Sequence, residues 1–179
     1  MPPASAVGGR YITDVIVRER AAEDLPGCVR TLEAVHTANA YPVRWPADPA
    51  GWLSPAGSTA AWIAELDGAV VGHVCVVRRV EDPLVTALTG AGPDRLSAIS
   101  RLFVAPAARG RGIGAALLAA GSAYASARGL RLMLDVVDDG GPAVALYERS
   151  GWQLVDRRLA DWTTPEGDRP PIRIYLAPR

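Results

Sequence analysis

Three glycines at alternate positions, Gly110, Gly112 and Gly114, separate an apolar segment from a long run of alanine and leucine. Arg109 and Arg111 flank the first of them. Without Cβ atoms, such a run lets successive backbone N–H groups converge on an anion, and a helix beginning there adds the positive end of its dipole. The spacing therefore predicts a phosphate-binding loop at a helix N-terminus.

Two nucleotide-type ligands fit this loop. Residues 110–115 also satisfy the G-x-G-x-x-A pattern of dinucleotide-binding folds, with Asp135 about 20 residues further on. Such a pattern normally follows the first strand of a fold, whereas here more than half of the chain precedes it. A simple glycine-rich turn between a strand and a helix is a further alternative, although it does not require three alternating glycines between arginines.

The surrounding residues favour acyl-coenzyme A. The pattern Arg-x-x-Gly-x-Gly at 109–114 follows Leu-Phe-Val-Ala-Pro at 102–106 and precedes Ala-Val-Ala-Leu-Tyr at 143–147 and Gly-Trp at 151–152. This combination resembles the GNAT superfamily of acyl-CoA N-acyltransferases. The resemblance covers most of the chain and is specific over residues 96–152.

The resemblance implies a fold, a cosubstrate and a set of binding residues. The fold is a single α/β domain with a mixed, mostly antiparallel twisted sheet of about seven strands flanked by helices. Its central parallel strand pair splays apart, and the pantetheine of acetyl-CoA enters the gap. The backbones of Leu102, Phe103 and Val104 would bind pantetheine. The pyrophosphate would lie on the N–H groups of Arg109, Gly110, Arg111, Gly112, Ile113 and Gly114, with Ala115 close behind.

The implied reaction is attack of a primary amine on the acetyl thioester, which requires two proton transfers. Tyr147 occupies the position of the tyrosine that donates a proton to the departing sulfur in relatives. Its ordinary pKa of about 10 keeps the phenol protonated at neutral pH. The alternative interpretation is that Tyr147 simply packs on its helix.

The general base is less evident, because Ser97 and Ser100 stand on the strand where relatives often carry an acidic residue. Asp135 is the substitute candidate, since some ribosomal-protein acetyltransferases use a carboxylate twelve residues before the tyrosine. Strand alternation puts Asp135 on the face opposite Leu132, Leu134 and Val136. A solvated strand-end carboxylate is the alternative, and Glu65 and Glu33 are lesser candidates.

Gly140 is a departure from the family pattern, because many relatives have an asparagine there that contacts the coenzyme. Asp138, Asp139 or backbone groups could replace that contact. An acyl-CoA-binding sensor without catalytic activity therefore stands as an alternative to the acetyltransferase. The acceptor would be a primary amine of a small molecule, peptide or protein.

Composition limits the class of protein. The chain has 179 residues, of which 49% are hydrophobic and 21% charged. This predicts a flexible N-terminus over 1–10 and one domain over 11–179. Neither a spanning apolar stretch nor a signal segment is evident, which predicts a cytoplasmic protein without a membrane partner. The few histidines and cysteines lack metal-ligand spacing, and no basic run indicates nucleic-acid binding.

Hydrophobic periodicity and turn signals predict the order strand, helix, three strands, helix, strand, helix and two strands. The Asp67-Gly68 turn indicates an antiparallel hairpin, and residues 81–95 are expected to form a loop. Trp45 and Trp52 either seal the edge of the core or line the acceptor pocket. Relatives are often dimers, and the closing strands could pair across subunits. The predicted strands are 13–18, 59–66, 69–78, 96–104, 130–137, 153–159 and 172–176. The predicted helices are one that begins at 22, one that follows the glycine run, includes Ile113 and ends at Gly129, and one over 142–150.

Overall fold

The computed structural model describes residues 15–78 and 80–179. The N-terminal segment 1–10, expected to be flexible, and the first two residues of the predicted strand 13–18 lie outside this range. Within the described residues, no helix combines the length and the apolar character needed to cross a membrane.

Within the part of the chain that the structure describes, seven strands and three helices follow the predicted order, and two short α-helices are added in the connections. The strands are β1 (Ile16–Glu19), β2 (Ser58–Leu66), β3 (Ala69–Arg78), β4 (Leu96–Val104), β5 (Arg131–Val137), β6 (Gln153–Leu159) and β7 (Pro171–Leu176). The helices are α1 (Leu25–Asn39), α2 (Pro49–Trp52), α3 (Pro83–Thr89), α4 (Ile113–Ala127) and α5 (Pro142–Arg149).

The strands form one sheet in the order β1-β2-β3-β4-β5-β7-β6. Every neighbouring pair is antiparallel except β4 and β5, which are parallel. This confirms the mixed, mostly antiparallel sheet that the sequence resemblance implied. It also differs from a dinucleotide-binding fold, in which a parallel sheet carries the glycine pattern after its first strand.

The parallel pair separates early. Pairing between β4 and β5 is confined to Leu96 with Arg131, Ser97 with Leu132 and Ala98 with Met133. Beyond these residues β4 continues to Val104 and β5 to Val137 without pairing to each other. The expected splayed pair is therefore present, and it leaves a gap in the middle of the sheet.

Helices cover both faces of the sheet. On the face of α4 and α5, called here the α4 face, Leu117, Leu118 and Tyr147 pack against Leu132 and Leu134. The opposite face, called the α1 face, is covered by α1, whose Cys28 and Leu32 pack with Phe103. A separate cluster on the α1 face joins Met133 and Ile174 to Val85 of α3. The gap between β4 and β5 therefore lies between the α4 face and the α1 face, both of which are covered by helices.

One predicted loop is wrong, because residues 81–95 contain the helix α3. Asp82 caps its N-terminus by accepting a hydrogen bond from the N–H of Val85 at 3.0 Å, and Pro83 occupies the first turn. Gly90 ends the helix in the left-handed conformation. These are regular helix start and stop signals, but the density of proline and glycine favoured a loop at the sequence level.

Candidate active site

A β-bulge reshapes β4 beside the gap. Cys75 pairs with Ser100 and His73 with Phe103, so Arg101 and Leu102 together lie opposite the single residue Val74. Arg101 has a φ of 55°, which is unusual for a residue with a side chain. The bulge bends the strand at the point where its partner β5 has already left it.

Backbone groups of β4 face the gap beyond the bulge. The N–H of Ala105 donates to the carbonyl of Val71 on β3 at 2.8 Å. Because strand backbone groups alternate in direction, those of Val104 and Leu102 point away from β3, and those of Phe103 point towards it. The Val104 carbonyl accepts from Nε of Arg109 at 3.2 Å, in agreement with this orientation. The gap is therefore bordered by strand-like donors and acceptors.

The glycine run forms a row of free N–H groups. Among the described residues, no backbone N–H from Gly110 to Ala115 donates a hydrogen bond, and the first bond of the helix runs from Ala116 to Gly112. Gly110 and Gly112 have φ values of 77° and 76°, and a Cβ at either would meet no atom within 4 Å. Because the α4 dipole adds positive potential here, the row has the chemistry of an anion-binding loop.

The other residues of the run have different surroundings. Gly114 lies against α5, where a Cβ would come within 3.0 Å of the Leu146 side chain. The Arg109 N–H makes a long bond of 3.4 Å to Pro106, and its guanidinium folds back on Val104. Arg111 is exposed beside the row and has no hydrogen bond or ion pair within the described residues, so it is the more available of the two cations.

Tyr147 lies on the α4 face of the gap. It is buried, and its ring centroid lies 5.9 Å from that of Tyr175 and 6.2 Å from that of Trp152. Burial raises the pKa of the phenol, with smaller contributions from Tyr41 and Asp135. Its hydroxyl has no hydrogen-bond partner within the described part of the chain. Tyr147 is therefore a protonated donor without an internal acceptor.

Asp135 lies on the α1 face of β5, since its neighbours Met133 and Val137 belong to the core cluster of that face. The residue is solvent-exposed, yet the surrounding protein desolvates its carboxyl group and raises its pKa. Both observations fit a position on the wall of an open cleft. The nearby charge of Asp161 raises the pKa further, while Arg158 and Arg101 oppose the shift.

Three further side chains border this cleft, and of these only Trp52 was considered from the sequence, as one that either seals the core edge or lines the acceptor pocket. Nε of Arg101 donates to the Trp52 carbonyl at 3.2 Å, and its guanidinium carbon lies 3.9 Å from the centroid of the Trp52 ring. Tyr41 packs edge-on against Trp52, with ring centroids 5.9 Å apart. Trp52 also packs against the core cluster of the α1 face, whereas Trp45 packs on His36. A charged residue inside the apolar run 96–104 was the available signal for Arg101.

His73 supports the bulge from the neighbouring strand. Its Nδ1 lies 2.9 Å from the Arg101 carbonyl, and its Nε2 lies 2.9 Å from a guanidinium nitrogen of Arg20. Because arginine only donates, Nε2 accepts and Nδ1 carries the hydrogen given to Arg101. Burial, together with the smaller effect of the Arg20 and Arg101 charges, lowers the pKa of His73 to about 4, although the hydrogen bond to the Arg101 carbonyl opposes this shift. A neutral imidazole thus holds the bulged backbone.

The remaining candidates are engaged elsewhere. Glu65 lies on β2, two strands from β4, and pairs with Arg18 on β1. Glu33 lies on the solvent side of α1. Ser97 is fully buried within the paired part of β4. Near Gly140, Asp138 forms an ion pair with Arg173 at 2.6 Å, while Asp139 accepts from the N–H of Gly141 at 2.7 Å. No group of three potential metal ligands occurs among the described residues.

A mixed sheet parted between two parallel strands, with a row of free N–H groups at the start of the following helix, defines an α/β protein with an open gap in its sheet. Comparison with known proteins specifies the family. Residues 27–152 match the acetyltransferase (GNAT) family, and the chain belongs to that family.

Individual relatives agree with this assignment. The chain is 35% identical over 102 residues to a mycothiol acetyltransferase of Geodermatophilus obscurus, which covers 56% of this chain and 30% of the relative. It is 32% identical over 102 residues to the peptidyl-lysine N-acetyltransferase YiaC of Escherichia coli, which covers 57% of this chain and 56% of the relative. The chain therefore spans less than two thirds of each curated relative.

The fold is also that of solved acetyltransferases. The structure of Arabidopsis thaliana NAA60 in complex with acetyl-CoA aligns with a TM-score of 0.71 at 21% identity, covering 91% of this chain and 97% of that one. At this identity the likeness concerns the fold alone.

Proposed function

We propose that this protein transfers an acetyl group from acetyl-CoA to a primary amine. The observation that carries the proposal is the parting of β4 from β5 after Ala98 and Met133, directly beside the row of free N–H groups from Gly110 to Ala115. Both relatives described above are acetyltransferases by name, and they differ in acceptor. They support the reaction and leave the acceptor open.

The described residues suit the chemical parts of acetyl-CoA. The free N–H groups and the exposed Arg111 offer donors for a pyrophosphate, and the open space around Gly110 and Gly112 lets it approach the backbone. Amide groups of pantetheine can pair with the backbones of Leu102 and Val104, in place of the missing strand. Phe103 contributes its ring to the core of the α1 face and not its backbone to the gap.

The two faces of the gap receive different roles in this proposal. Tyr147 lies on the α4 face, where the coenzyme would enter, and Asp135 lies on the α1 face, where the acceptor would approach. Asp135 removes a proton from the ammonium and passes it to solvent, and the amine nitrogen forms a C–N bond to the thioester carbonyl carbon. The tetrahedral adduct then loses its second nitrogen-bound proton to solvent. As the C–S bond breaks, the Tyr147 hydroxyl protonates the sulfur, and solvent returns a proton to the phenolate. The products are an N-acetyl amine, the free thiol and one released proton.

The raised pKa values suit these directions of proton transfer. Tyr147 stays protonated at neutral pH because burial disfavours its phenolate. Asp135 is a stronger base than an ordinary aspartate because desolvation disfavours its carboxylate. Each group therefore holds or takes the proton that its proposed step requires.

The test measures binding and turnover separately. Calorimetry with acetyl-CoA and with NAD establishes the ligand, and thiol release in a panel of small amines and peptides establishes transfer. Tyr147→Phe should slow thiol release about 10²-fold or more without weakening acetyl-CoA binding. Tyr124→Phe is the matched control, because Tyr124 lies on α4 with its ring 5.5 Å from Trp62.

Each outcome has one meaning. Acetyl-CoA binding with amine-dependent thiol release that Tyr147→Phe reduces supports the proposal. Acetyl-CoA binding without thiol release for any amine would indicate the sensor alternative, and preferential NAD binding would contradict the coenzyme assignment. The cytoplasmic location, the homodimer and the extent of the domain stay predictions.

A further inference from the structure

Arg101 is held in place on the α1 face of the gap, and part of its guanidinium is free to donate hydrogen bonds. The backbone of Arg101 is fixed by the bulge and by the bond from His73, and its Nε is bound to the Trp52 carbonyl. Stacking on the Trp52 ring fixes the plane of the guanidinium. Within the described residues, its two terminal nitrogens make no hydrogen bond or ion pair. The residue is half-buried, so its terminal N–H donors are only partly hydrated, and they are available to a ligand.

An acidic group faces the same cleft from the next strand. Asp135 and Arg101 influence each other electrostatically, but no ion pair joins them, because the strands that carry them have separated. Because Arg101 and Asp135 are not paired with each other, each can pair with a group of opposite charge. The cleft therefore suits a molecule that carries both a negative and a positive group. Tyr41 and Trp52 supply an aromatic wall beside them.

Two connections lie close to this pair of charges. Arg44, in the connection from α1 to α2, donates to the Thr164 carbonyl in the connection from β6 to β7 at 2.8 Å. The negative charge of Asp161, in the same β6–β7 connection, helps to raise the pKa of Asp135. The two connections therefore contact each other, and one of them places a second carboxylate near Asp135.

We propose that Arg101 binds a carboxylate of the acceptor, and that the acceptor is an amine of the amino-acid class with its ammonium at Asp135. This inference rests on the proposed acetyl transfer and specifies its substrate. A guanidinium offers a carboxylate two parallel charge-assisted hydrogen bonds, a geometry that lysine cannot reproduce. The aromatic wall holds the guanidinium plane, so little freedom is lost when the carboxylate binds.

The experiment compares acceptors that differ only in the carboxylate. Thiol release from acetyl-CoA is measured with the standard L-amino acids, with their primary amides and with the corresponding decarboxylated amines. Carboxylate-bearing acceptors should have the higher kcat/KM. Arg101→Gln and Arg101→Lys should both raise the KM for the amino acid roughly 10- to 100-fold, with little change in the affinity for acetyl-CoA.

Controls separate recognition from folding. Arg30→Gln removes an exposed arginine of α1 and should leave every parameter unchanged. Unchanged acetyl-CoA affinity in Arg101→Lys shows that the gap is intact. The amides and decarboxylated amines should lose nothing when Arg101 is replaced, which distinguishes a carboxylate contact from a structural role.

The results that overturn the inference are distinct from those that overturn the proposed function. Equal or faster turnover of the amides and decarboxylated amines would refute a carboxylate site while leaving acetyl transfer intact. An Arg101→Gln variant that loses turnover equally on all acceptors would assign Arg101 to structure. Absence of acetyl-CoA binding, or of thiol release with any amine, would instead reject the acetyltransferase itself.

Discussion

Replacing Gly112 with valine should separate the cost of backbone strain from the loss of an anion site. Gly112 has a φ of 76°, and a Cβ there would meet no atom within 4 Å. A valine would be strained in this left-handed backbone conformation but would not clash, which predicts a destabilisation of about 1–2 kcal/mol. For a chain of this length, that loss lowers the melting temperature by roughly 2–8 °C. The fold should therefore survive the substitution.

Gly68 provides a matched control for this experiment. It lies in the β2–β3 turn with a φ of 75°, and a Cβ there would also meet nothing within 4 Å. Gly68→Val should lose the same stability and keep its affinity for acetyl-CoA. Gly112→Val should weaken acetyl-CoA binding about 10²-fold, because its side chain blocks access to at least two charge-assisted hydrogen bonds from the free N–H groups.

Two measurements decide the outcome. Thermal melts of the free proteins compare the strain, and calorimetric titration with acetyl-CoA compares the binding. Equal acetyl-CoA affinity in Gly112→Val and Gly68→Val would show that the glycine run is only a turn. A much larger loss of stability in Gly112→Val would mean that the space around this residue is used by the fold.

Two other perturbations test the acid–base groups. Asp135→Asn should reduce kcat by about 10²- to 10⁴-fold. It should also raise stability at pH 7, because the pKa of Asp135 is higher in the folded state and its ionised form opposes folding there. For His73, a folded-state pKa of about 4 against 6.5 means that about 3 kcal/mol of stability is lost as the pH falls from 6.5 through 4.

The corresponding assays are direct. Rates and urea midpoints of Asp135→Asn are compared with the parent protein at pH 7, and an unchanged rate would remove Asp135 from the reaction. The imidazole signals of His73 are followed by NMR between pH 7 and 4. Protonation of His73 near pH 6.5 in the folded protein would contradict the network with Arg20 and Arg101.

The elements were readable from the sequence because their signals are local. The Asp67-Gly68 turn, the glycines of 110–114 and the Gly151 stop specify backbone conformations through residues close together in the chain. Hydrophobic alternation likewise placed Asp135 opposite Leu132 and Leu134. The error at α3 arose where two local signals conflicted, since Pro83 and Gly90 are compatible with either a loop or a short capped helix.

The sequence by itself determined the order of the main elements, the glycine-rich loop before α4 and the family, since each depends on residue types at short spacing. Only the tertiary structure decided where β4 and β5 part, that His73 supports the bulge at Arg101, and that Arg101 and Asp135 face one cleft without pairing. These properties depend on strand register and on residues distant in the chain. Local propensity carries no information about contacts between residues far apart in the chain. The role of a charged residue in an apolar strand, such as Arg101, can therefore be inferred only from the side chains that the fold places around it.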